Sequence, residues 1–556
     1  MRLNCSLFCS SLILHNVQMN KTYNDSKYFV DQPSRSSPCS IRHSYLKNKN
    51  WKSLLELPGA DLTTPKKNNM TEDKSFNGFI NHLDDKWDLL TLQTKESWKV
   101  QTSIQLPYPF VIPGGRFREA YYWDNYFIIK GLLSSANRQP KHLFTAYGII
   151  QNFIHMMKLY GFIPNGARTY YLNRSQPPLF TWMVWNYFDV TKNMTFLRES
   201  LPYIQQEIDF FHNNRMSNVT INTKSYKVFH FDSDNKLPRP ESYFEDFSLL
   251  NNGKFGQEHE LFRHIGAAAE SGWDFSSRWY KTNFKEMYTA SVMPVDLNYI
   301  MLKNYKLIAS IMNAINPNKY AARIQYFYKL YNQRFLEFQN VFFNKNDNMW
   351  YDILPTNEQN KVYYASNLTP LWTVANDLPN IVNMTQLMEQ VSKLQKTTGI
   401  PVSMKMSGQQ WDYPNVWPPM QYLIIKGVGL FDNKLAKQLS DAFIGNVYCI
   451  WHKTNVIYEK YNCCSREAGH GGEYEVQEGF GWTNGVVLDL VEEYGQSLQC
   501  PVFDEEVGEV PILEDNERVS TAPRIFMILG ESIILCGILY FLRKPKHQQD
   551  ISMNVI

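Results

Sequence analysis

Carboxylate, Arg, amide and Trp side chains are concentrated in six short segments of this 556-residue chain. Carboxylates and Arg form strong hydrogen bonds with hydroxyl groups, and an indole ring offers a flat apolar surface to the C–H face of a pyranose. The mixture is therefore typical of a carbohydrate site. The segments are PGGRFREAYYWDNYF (113–127), IPNGARTYYLNRSQPP (163–178), RPESYFED (239–246), ESGWDFSSRW (270–279), QWDYPNVWPP (410–419) and EKYNCCSREAGHGGEYEVQEGFGWTNG (459–485).

Glycosidic cleavage is the chemistry that such a carboxylate-rich set favours. One carboxyl group protonates the departing oxygen, and the other activates water or attacks the anomeric carbon. An inverting enzyme holds the two groups ~6.5–9.5 Å apart so that water fits between them. Residue type and spacing do not say which carboxylate is the acid. Taken singly, a loop Asp or Arg is usually a cap or a solvated ion pair, and a loop Trp is more often part of the core.

Other classes of function have little support. The chain lacks the GxSxG and HExxH patterns and any Walker sequence. His470 beside Gly471-Gly472 indicates a flexible loop rather than a metal ligand, so no metal and no cofactor are predicted. A net charge of +3 with no long basic block in the body of the chain gives nucleic acid binding no support.

Helical periodicity predicts the elements that must position these segments. Ile308, Ile311, Met312 and Ile315 recur at the spacing of one helix face. Strand-like alternation is scarce, which predicts an all-α body with its functional residues in the loops. The region from Ser34 to Thr71, rich in Ser, Pro, Lys and Asn, is interpreted as extended or loop-like. Further helical patterns cover 143–159, 195–211, 320–343, 435–451 and 486–494.

The C-terminal region carries a membrane signal. Residues 525–542, IFMILGESIILCGILYFL, contain one charge, Glu531, and are long enough for a spanning helix. The basic residues Arg543, Lys544 and Lys546 after it favour a cytoplasmic tail and an extracellular body. A buried terminal helix is the alternative. The first residues, MRLNCSLFCSSLIL, form a poor signal peptide.

Sequons and cysteines fit a secreted surface. Eight Cys residues show no zinc-site spacing, and adjacent Cys463-Cys464 are expected to pair elsewhere rather than with each other. We expect Asn173, inside a candidate motif, to be unmodified, and Asn367, with Pro370 following the triplet, is a weak acceptor. The N-x-S/T triplets begin at Asn4, Asn20, Asn24, Asn69, Asn173, Asn193, Asn218, Asn367 and Asn383.

The segments PGGRFREAYYWDNYF and QWDYPNVWPP resemble the two signature segments of the trehalases of glycoside hydrolase family thirty-seven. The stretches IPNG, NRSQPP, RPESY, SGWDFSSRW and GGEYEVQEGFGWTNG are similar to the same family and follow in the same order. The likeness runs from about Val17 to about Tyr494. It implies an (α/α)6 barrel and the hydrolysis of α,α-trehalose to two glucose molecules with inversion.

The resemblance also implies roles for particular residues. Asp274 of SGWD corresponds to the general acid, and Glu459 of the E-K-Y segment to the general base. The unusual spacer between Glu459 and Glu473 leaves Glu467, Glu475 and Glu478 as alternative bases. The substrate contacts implied are Arg116, Trp123, Asp124, Asn165, Arg174, Ser175, Gln176, Arg239, Pro240, Glu241, Gly272 and Glu473.

The predicted organisation has a catalytic domain over 17–500 preceded by a poorly defined N-terminal segment over 1–16. A juxtamembrane linker (501–524), the membrane helix (525–542) and a cytoplasmic tail (543–556) follow. This predicts a single-pass cell-membrane protein whose partners are a disaccharide and the lipid bilayer; no oligomeric state is indicated. Two alternatives stay open, another inverting α-glucosidase and an inactive membrane-tethered sugar-binding protein.

Overall fold

Helices account for most of the described chain. The computed structural model describes residues 6–9, 11–47, 49–63, 73–95, 98–250, 259–495 and 500. All these residues fall within one compact unit, Met1–Phe503. The α-helices are α1 (Ser6–Cys9), α2 (Leu12–Met19), α3 (Ser26–Val30), α4 (Pro38–Leu46), α5 (Phe76–Leu90), α6 (Asp124–Ser135), α7 (Lys141–Tyr160), α8 (Phe180–Thr191), α9 (Met194–Asn214), α10 (Tyr243–Phe247), α11 (His259–Ser271), α12 (Val295–Ile315), α13 (Pro317–Phe342), α14 (Thr369–Thr373), α15 (Met384–Leu394), α16 (Pro418–Gly429), α17 (Asn433–Thr454) and α18 (Gly481–Tyr494).

Short polar side chains begin several of the long helices. Asn193 accepts a hydrogen bond from Phe196 N at the start of α9, and Asp432 accepts one from Leu435 N at the start of α17. Each satisfies a backbone N–H that the first helical turn leaves free. At its other end, α7 stops at Gly161, which adopts the left-handed conformation (φ +88°) that glycine tolerates.

Four small antiparallel sheets, each of two strands, join the helices in the described residues. In β3–β4, both turn residues, Asn222 and Thr223, have positive φ, which matches the twist of a tight hairpin. The pairing of β7 with β8 is the functionally important one, because it brings the 410–419 segment beside the residues that follow Glu459. The strands are β1 (Thr91–Leu92), β2 (Phe110–Val111), β3 (Met216–Ile221), β4 (Lys224–Phe229), β5 (Phe343–Asn344), β6 (Met349–Trp350), β7 (Asn415–Val416) and β8 (Tyr461–Asn462).

Six helices contact one another in a closed sequence. Each packs against the next, and the last packs against the first. Other helices contact this ring: α7 packs on α6, α13 on α12 and α17 on α16. The order around the ring is α6, α8, α12, α14, α16, α18 and back to α6.

The ring helix α6 is more completely buried than α13, which packs around the ring. Eleven of the 12 residues of α6 are buried, whereas only eight of the 26 residues of α13 are buried. A helix surrounded by protein must be apolar on all sides, while a helix with one contact face needs only a stripe. Asp124, at the start of α6, is a carboxylate that is buried within this enclosed helix.

The helices predicted from periodicity are present with slightly longer bounds. Residues 143–159, 195–211, 320–343, 435–451 and 486–494 fall in α7, α9, α13, α17 and α18, apart from Phe343, which begins β5. The loop-like interpretation of 34–71 was wrong in part, because α4 lies inside it. Ser37 caps α4 and Pro38 occupies its first turn, so the residues interpreted as loop formers act here as a helix start.

The structure describes the N-terminal helices but not residues 501–556 at the C-terminal end. Helix α2 spans the predicted boundary at residue 17 and buries Leu14 and Val17. In the ranges that the structure describes, no helix is both long and apolar enough to cross a bilayer. The predicted membrane segment 525–542 and its flanking regions lie outside those ranges.

Candidate active site

One cavity collects most of the predicted site residues. The chain reaches the cavity mainly where loops enter ring helices, since Asp124 begins α6 and Trp482 lies in the first turn of α18. The predicted residues on its wall are Arg116, Trp123, Asp124, Asn165, Arg174, Gln176, Arg239, Glu241, Gly272, Asp274, Glu459 and Glu473.

Asp274 has the properties of a carboxyl group that keeps its proton. It follows α11, and its backbone oxygen accepts a hydrogen bond from Gln410 Nε2. Burial raises the pKa of Asp274 to about 6, against the opposing charges of Arg239 and Arg174, and the charge of Glu459 adds to the increase. A carboxyl group with this pKa is suited to donating a proton near neutral pH.

Glu459 is the buried carboxylate on the same wall, with 1% of its surface exposed. Tyr474 Oη donates a hydrogen bond to Glu459 Oε1 at 2.9 Å, and Trp482 Nε1 donates to its backbone oxygen at 2.9 Å. Burial raises the pKa of Glu459, while the charge of Lys460 and the Tyr474 hydrogen bond oppose the increase. These partners stabilise the ionised form, which a general base requires.

Burial distinguishes Glu459 from the three alternative bases. Glu467, Glu475 and Glu478 are all exposed to solvent, and none of them lines the cavity. A base that activates water at a sugar must face the cavity, so only Glu459 of these four carboxylates is placed for the role.

Three Arg side chains on the wall are each held by carboxylates. Arg174 Nη2 donates to Glu241 Oε1 at 2.5 Å. Arg239 Nη2 donates to Asp246 Oδ1 at 2.7 Å and to Glu473 Oε1 at 2.6 Å. Such charge-assisted pairs fix the guanidinium planes.

The third guanidinium, that of Arg116, is held by a residue that the sequence did not suggest. Asp25 precedes α3 and accepts hydrogen bonds from Arg116 Nε at 2.8 Å and Nη2 at 2.6 Å. The same guanidinium lies 4.9 Å from the centroid of the Tyr474 ring. The N-terminal segment therefore contributes to the wall through an ion pair.

A buried ionic network continues from this segment beneath the cavity. Lys27, which lines the cavity, donates to Glu119 Oε2 at 3.0 Å and also pairs with Asp31. Arg168 Nε donates to the same Glu119 oxygen at 3.1 Å. The network joins α3 to the 113–127 and 163–178 segments, so the segments share one rigid base.

Several polar atoms at the cavity have no protein partner in the described residues. Arg174 Nε and Glu241 Oε2 are buried and make no hydrogen bond there. Gln176 Oε1 accepts from Trp123 N at 2.9 Å, which leaves its amide N–H groups for another acceptor. Buried polar groups are normally satisfied, so these atoms indicate a polar ligand.

Aromatic rings form the rest of the wall. Trp411 and Trp417 stack with centroids 4.1 Å apart, and Trp123 lies 5.9 Å from Trp411. Gly272 approaches Trp123 so closely that an added Cβ would lie 2.7 Å from the indole ring. Gly272 also has φ +77°, a conformation that glycine favours.

Two predicted contacts, Ser175 and Pro240, are absent from the cavity wall. The Ser175 hydroxyl donates to Ile163 O at 2.7 Å, and its backbone N–H donates to Glu270 at 3.2 Å. Pro240 begins the short 3₁₀ helix Pro240–Ser242 that presents Glu241. Both residues support neighbours that line the cavity instead of facing it.

The wall also contains residues that sequence reasoning did not select. Trp411 and Trp417 belong to the 410–419 segment, and Tyr474 follows Glu473 in the 459–485 segment. The sequence therefore pointed to these segments, although it did not single out these three residues as contacts. Lys27, and Asp25 which pairs with Arg116, had no such signal, since both lie outside the six motif segments. The further lining residues are Lys27, Pro113, Phe117, Tyr121, Tyr171, Ser242, Ala269, Trp411, Trp417, Tyr474, Phe480 and Trp482.

A second, wider cavity shares Arg116, Ser242, Glu473 and Tyr474 with the first. The glycine-rich stretch 469–477 forms much of its wall. The candidate site thus opens towards the segment that follows Glu459. Over the ranges that the structure describes, no group of three or more His, Cys, Asp or Glu side chains is arranged to hold a metal ion.

The chain is similar in sequence to known trehalases over most of its length. The Trehalase family model matches residues 40–495. The trehalase of Oryctolagus cuniculus is 33% identical, with 88% of this chain and 90% of that protein covered. The trehalase of Dictyostelium discoideum is 36% identical, with 88% and 90% covered.

A solved structure shares the fold. The neutral trehalase Nth1 from Saccharomyces cerevisiae superposes with a TM-score of 0.57 at 22% identity, covering 70% of this chain and 74% of that one. The family match spans all six of the motif segments, and the relatives are covered over nearly their full length. The chain is accordingly a member of the trehalase family of glycoside hydrolases.

Proposed function

We propose that this protein hydrolyses α,α-trehalose to two glucose molecules by an inverting single displacement. The observation that carries the proposal is the pair of carboxyl groups with different environments on one Arg-rich wall. Burial raises the pKa of Asp274 to about 6, and it also raises the pKa of Glu459, where the charge of Lys460 and the hydrogen bond from Tyr474 oppose the increase.

The proposed reaction uses each group once. Protonated Asp274 donates its proton to the glycosidic oxygen as the bond to the anomeric carbon breaks. Glu459 removes a proton from the water that attacks the same carbon from the opposite face. The products are one α-glucose and one β-glucose, because only the attacked carbon inverts.

The wall supplies the contacts that this substrate needs. Arg116, Arg174 and Arg239 offer N–H donors in fixed positions, and Glu241 Oε2 offers an unpaired acceptor. The indole of Trp123 offers a surface for stacking. Donors held in fixed positions reduce the ordering that is needed to bind a disaccharide with many hydroxyl groups.

Proton NMR of the purified protein acting on α,α-trehalose tests the proposal. We expect equal initial signals of α- and β-glucose. Asp274→Asn and Glu459→Gln should each reduce kcat by about 10²–10⁴-fold, the contribution of a general acid or base. Two β-glucose or two α-glucose products would overturn the inverting mechanism.

Matched controls separate chemistry from loss of charge. Glu475→Gln alters an exposed carboxylate of the same segment, and Asp189→Asn alters one that is 64% exposed. Both should retain full activity. Absence of glucose from the unsubstituted protein, with trehalose still bound in a titration, would indicate an inactive sugar-binding protein. Release of glucose from another α-glucoside alone would indicate a different glucosidase.

We infer that the helices form an (α/α)6 barrel. The inference is supported by the closed sequence of six contacting helices and by the helices packed around it. The active-site loops then enter at one end of the ring. The fold shared with the yeast trehalase is consistent with this arrangement.

We also propose that residues 525–542 anchor the protein in the cell membrane with the catalytic domain outside. The support is the apolar segment with one charge and the basic residues after it. The full chain should stay with membranes after an alkaline wash, and a chain ending at residue 524 should not. Release of both by the wash would contradict the anchor.

A further inference from the structure

The adjacent residues Cys463 and Cys464 bring two sulfur atoms together next to the active-site segment. They directly follow β8, and their Sγ atoms are 2.7 Å apart. This distance is longer than an S–S bond, ~2.03–2.05 Å, so the two thiols are in close contact and not bonded. Both are free thiols, so the expectation that each pairs with a cysteine elsewhere was wrong; Cys463 is buried and Cys464 is exposed. The pair thus combines one accessible thiol with one protected thiol in reach of it.

The surroundings of Cys464 favour its thiolate. The thiol of Cys463 and the hydroxyl of Tyr413, 3.1 Å away, are placed to donate hydrogen bonds to Cys464 Sγ. The hydrogen bond from Cys463 lowers the pKa of Cys464, and Tyr413 and the charge of Lys396 lower it further, against the effect of burial. The thiolate is the nucleophilic form of cysteine.

The backbone around the pair is tied to the cavity wall. Cys463 N donates to Pro414 O at 2.8 Å, within the segment that carries Trp411 and Trp417. Asn415 exchanges two hydrogen bonds of 2.9 Å with the backbone of His470, three residues before Glu473. A change in the 463–464 peptide unit therefore acts on both segments.

We propose that Cys463 and Cys464 form a redox-reversible site that takes a low-molecular-weight disulfide as its oxidant. The site closes into a vicinal disulfide, and closure slows catalysis by displacing the 463–477 segment. Its effect on catalysis rests on the proposed function, whereas the covalent chemistry does not.

The chemistry balances in two thiol exchanges. The Cys464 thiolate attacks one sulfur of the small disulfide, whose S–S bond breaks and releases one thiolate with the electron pair. Cys463 then loses its proton and attacks Cys464 Sγ, and the mixed disulfide breaks to release the second thiolate. Both leaving thiolates take up protons in water. The two cysteines lose two electrons in total, and the small disulfide gains them.

Peptide mapping of the full chain after incubation with oxidised glutathione tests this site. Free thiols are alkylated before digestion, and the peptide containing both cysteines is weighed. We expect it to lose two hydrogen atoms and to gain no alkyl group or glutathione. A lasting glutathione adduct on Cys464, an unreacted pair, or a bond from either residue to another cysteine would overturn the proposal.

Variants separate the two thiols. Cys463→Ser should stop at the glutathione adduct on Cys464, and Cys464→Ser should leave Cys463 unreacted because it is buried. Cys39→Ser, which removes an exposed lone thiol, should leave ring closure unchanged. Equal behaviour of the Cys463→Ser and Cys464→Ser proteins would contradict the assigned order.

Activity is measured on the same samples. We expect kcat/KM for trehalose to fall by about tenfold on closure, as for a small displacement at an active site, and to recover with dithiothreitol. Ring closure with unchanged kcat/KM would overturn the link to catalysis. A protein inactive before and after oxidation would refute the proposed function, while the peptide mass would still decide the redox chemistry.

Discussion

Two carboxyl groups on one wall behave differently because their immediate neighbours differ. Burial is the largest effect on the pKa of Asp274 and raises it to about 6. Glu459 is buried more completely and its pKa is also raised, but the charge of Lys460 and the hydrogen bond from Tyr474 oppose that increase. At the scale of single residues, the division of labour between acid and base follows from these contacts and leads to two predictions.

The pH dependence of kcat/KM should have an alkaline limb set by Asp274. The acid works only while protonated, so activity is lost as pH rises through its pKa of about 6. The acidic limb should reflect Glu459 and lie above the ordinary range of a glutamate, because burial raises the pKa of Glu459. Initial rates over a pH series measure both limbs. An alkaline limb that begins only above pH 8 would contradict the assignment of Asp274.

Removal of the Lys460 charge should move the acidic limb. Lys460→Met deletes a cation that lowers the pKa of Glu459, so Glu459 should keep its proton to higher pH. The limb is expected to shift upwards, with the alkaline limb less affected. Lys460→Arg keeps the charge and serves as the control. An equal shift in both variants would indicate lost packing around Gln410, to which Lys460 donates at 2.7 Å.

Secondary-structure elements hold the site through their ends. Asp25 precedes α3, accepts a hydrogen bond from Lys27 N at 2.8 Å as its cap, and also binds Arg116. This helix lies before residue 40, where the family match begins. Gly272 follows the end of α11 and lets Trp123 pack against the backbone. Each feature leads to a prediction at the scale of elements.

Asp25→Asn should weaken catalysis while preserving the helix. Asn caps a helix as well as Asp, but it cannot form the ion pair with Arg116. We expect kcat/KM to fall by about fivefold, or ~1 kcal/mol, because the Asp25 side chain is 38% exposed and water screens the pair.

Asp432→Asn is the matched control for this change, since Asp432 caps α17 through Leu435 N. Kinetics and thermal unfolding of the two variants provide the comparison. Equal kcat/KM values in the two variants would show that the Asp25 charge does not position Arg116.

Gly272→Ala should damage both stability and activity. The positive φ costs about 1–2 kcal/mol for a residue with a Cβ, and the Cβ would also collide with Trp123 at 2.7 Å. Gly161→Ala is the control, because Gly161 has φ +88° with no atom within 4 Å of the added Cβ. We expect the free energy of unfolding to fall more at residue 272 than at 161, and kcat/KM to fall only at 272. Equal losses would mean that Trp123 moves aside at little cost.

At the scale of the molecule, six of the described helices contact one another in a closed sequence, and segments distant in sequence are joined to them. The disulfide Cys449–Cys500 joins α17 to a residue 51 positions later. The N-terminal helices are also joined to a distant segment, because Ser26 Oγ in α3 donates a hydrogen bond to a Glu245 carboxylate oxygen in α10 at 2.8 Å. The disulfide stabilises the molecule by limiting the conformations of the unfolded chain.

Cys449→Ser should lower stability at the molecular scale. A cross-link that closes a loop of this length contributes about 4 kcal/mol, which corresponds to a decrease of about 4 °C in the Tm of a domain this large. Calorimetry under non-reducing conditions measures the decrease. Cys39→Ser should leave Tm unchanged, and added reductant should lower the Tm of the unsubstituted protein to that of Cys449→Ser. An unchanged Tm in Cys449→Ser would contradict the cross-link.

The local pattern of the sequence predicted several of the long helices but not the ring helices α6, α8, α14 and α16. The candidate site residues came from the family resemblance. Apolar residues at helical spacing predicted α7, α9 and α17, because periodicity is a property of neighbouring residues. The motif strings likewise identified Asp274 and Glu459 before any contact was known. The Ser37-Pro38 helix start was missed because the same residue types also form loops.

Only the tertiary structure decided which of these residues meet. The family resemblance favoured Glu459 but left three neighbouring glutamates as alternatives, and burial places Glu459 rather than Glu475 at the cavity. Ser175 lies inside a motif segment but does not line the cavity, while Asp25 lies outside the six motif segments and binds Arg116 across 91 positions. Burial, charge pairing and pKa arise from contacts between distant parts of the chain, which a local pattern does not contain.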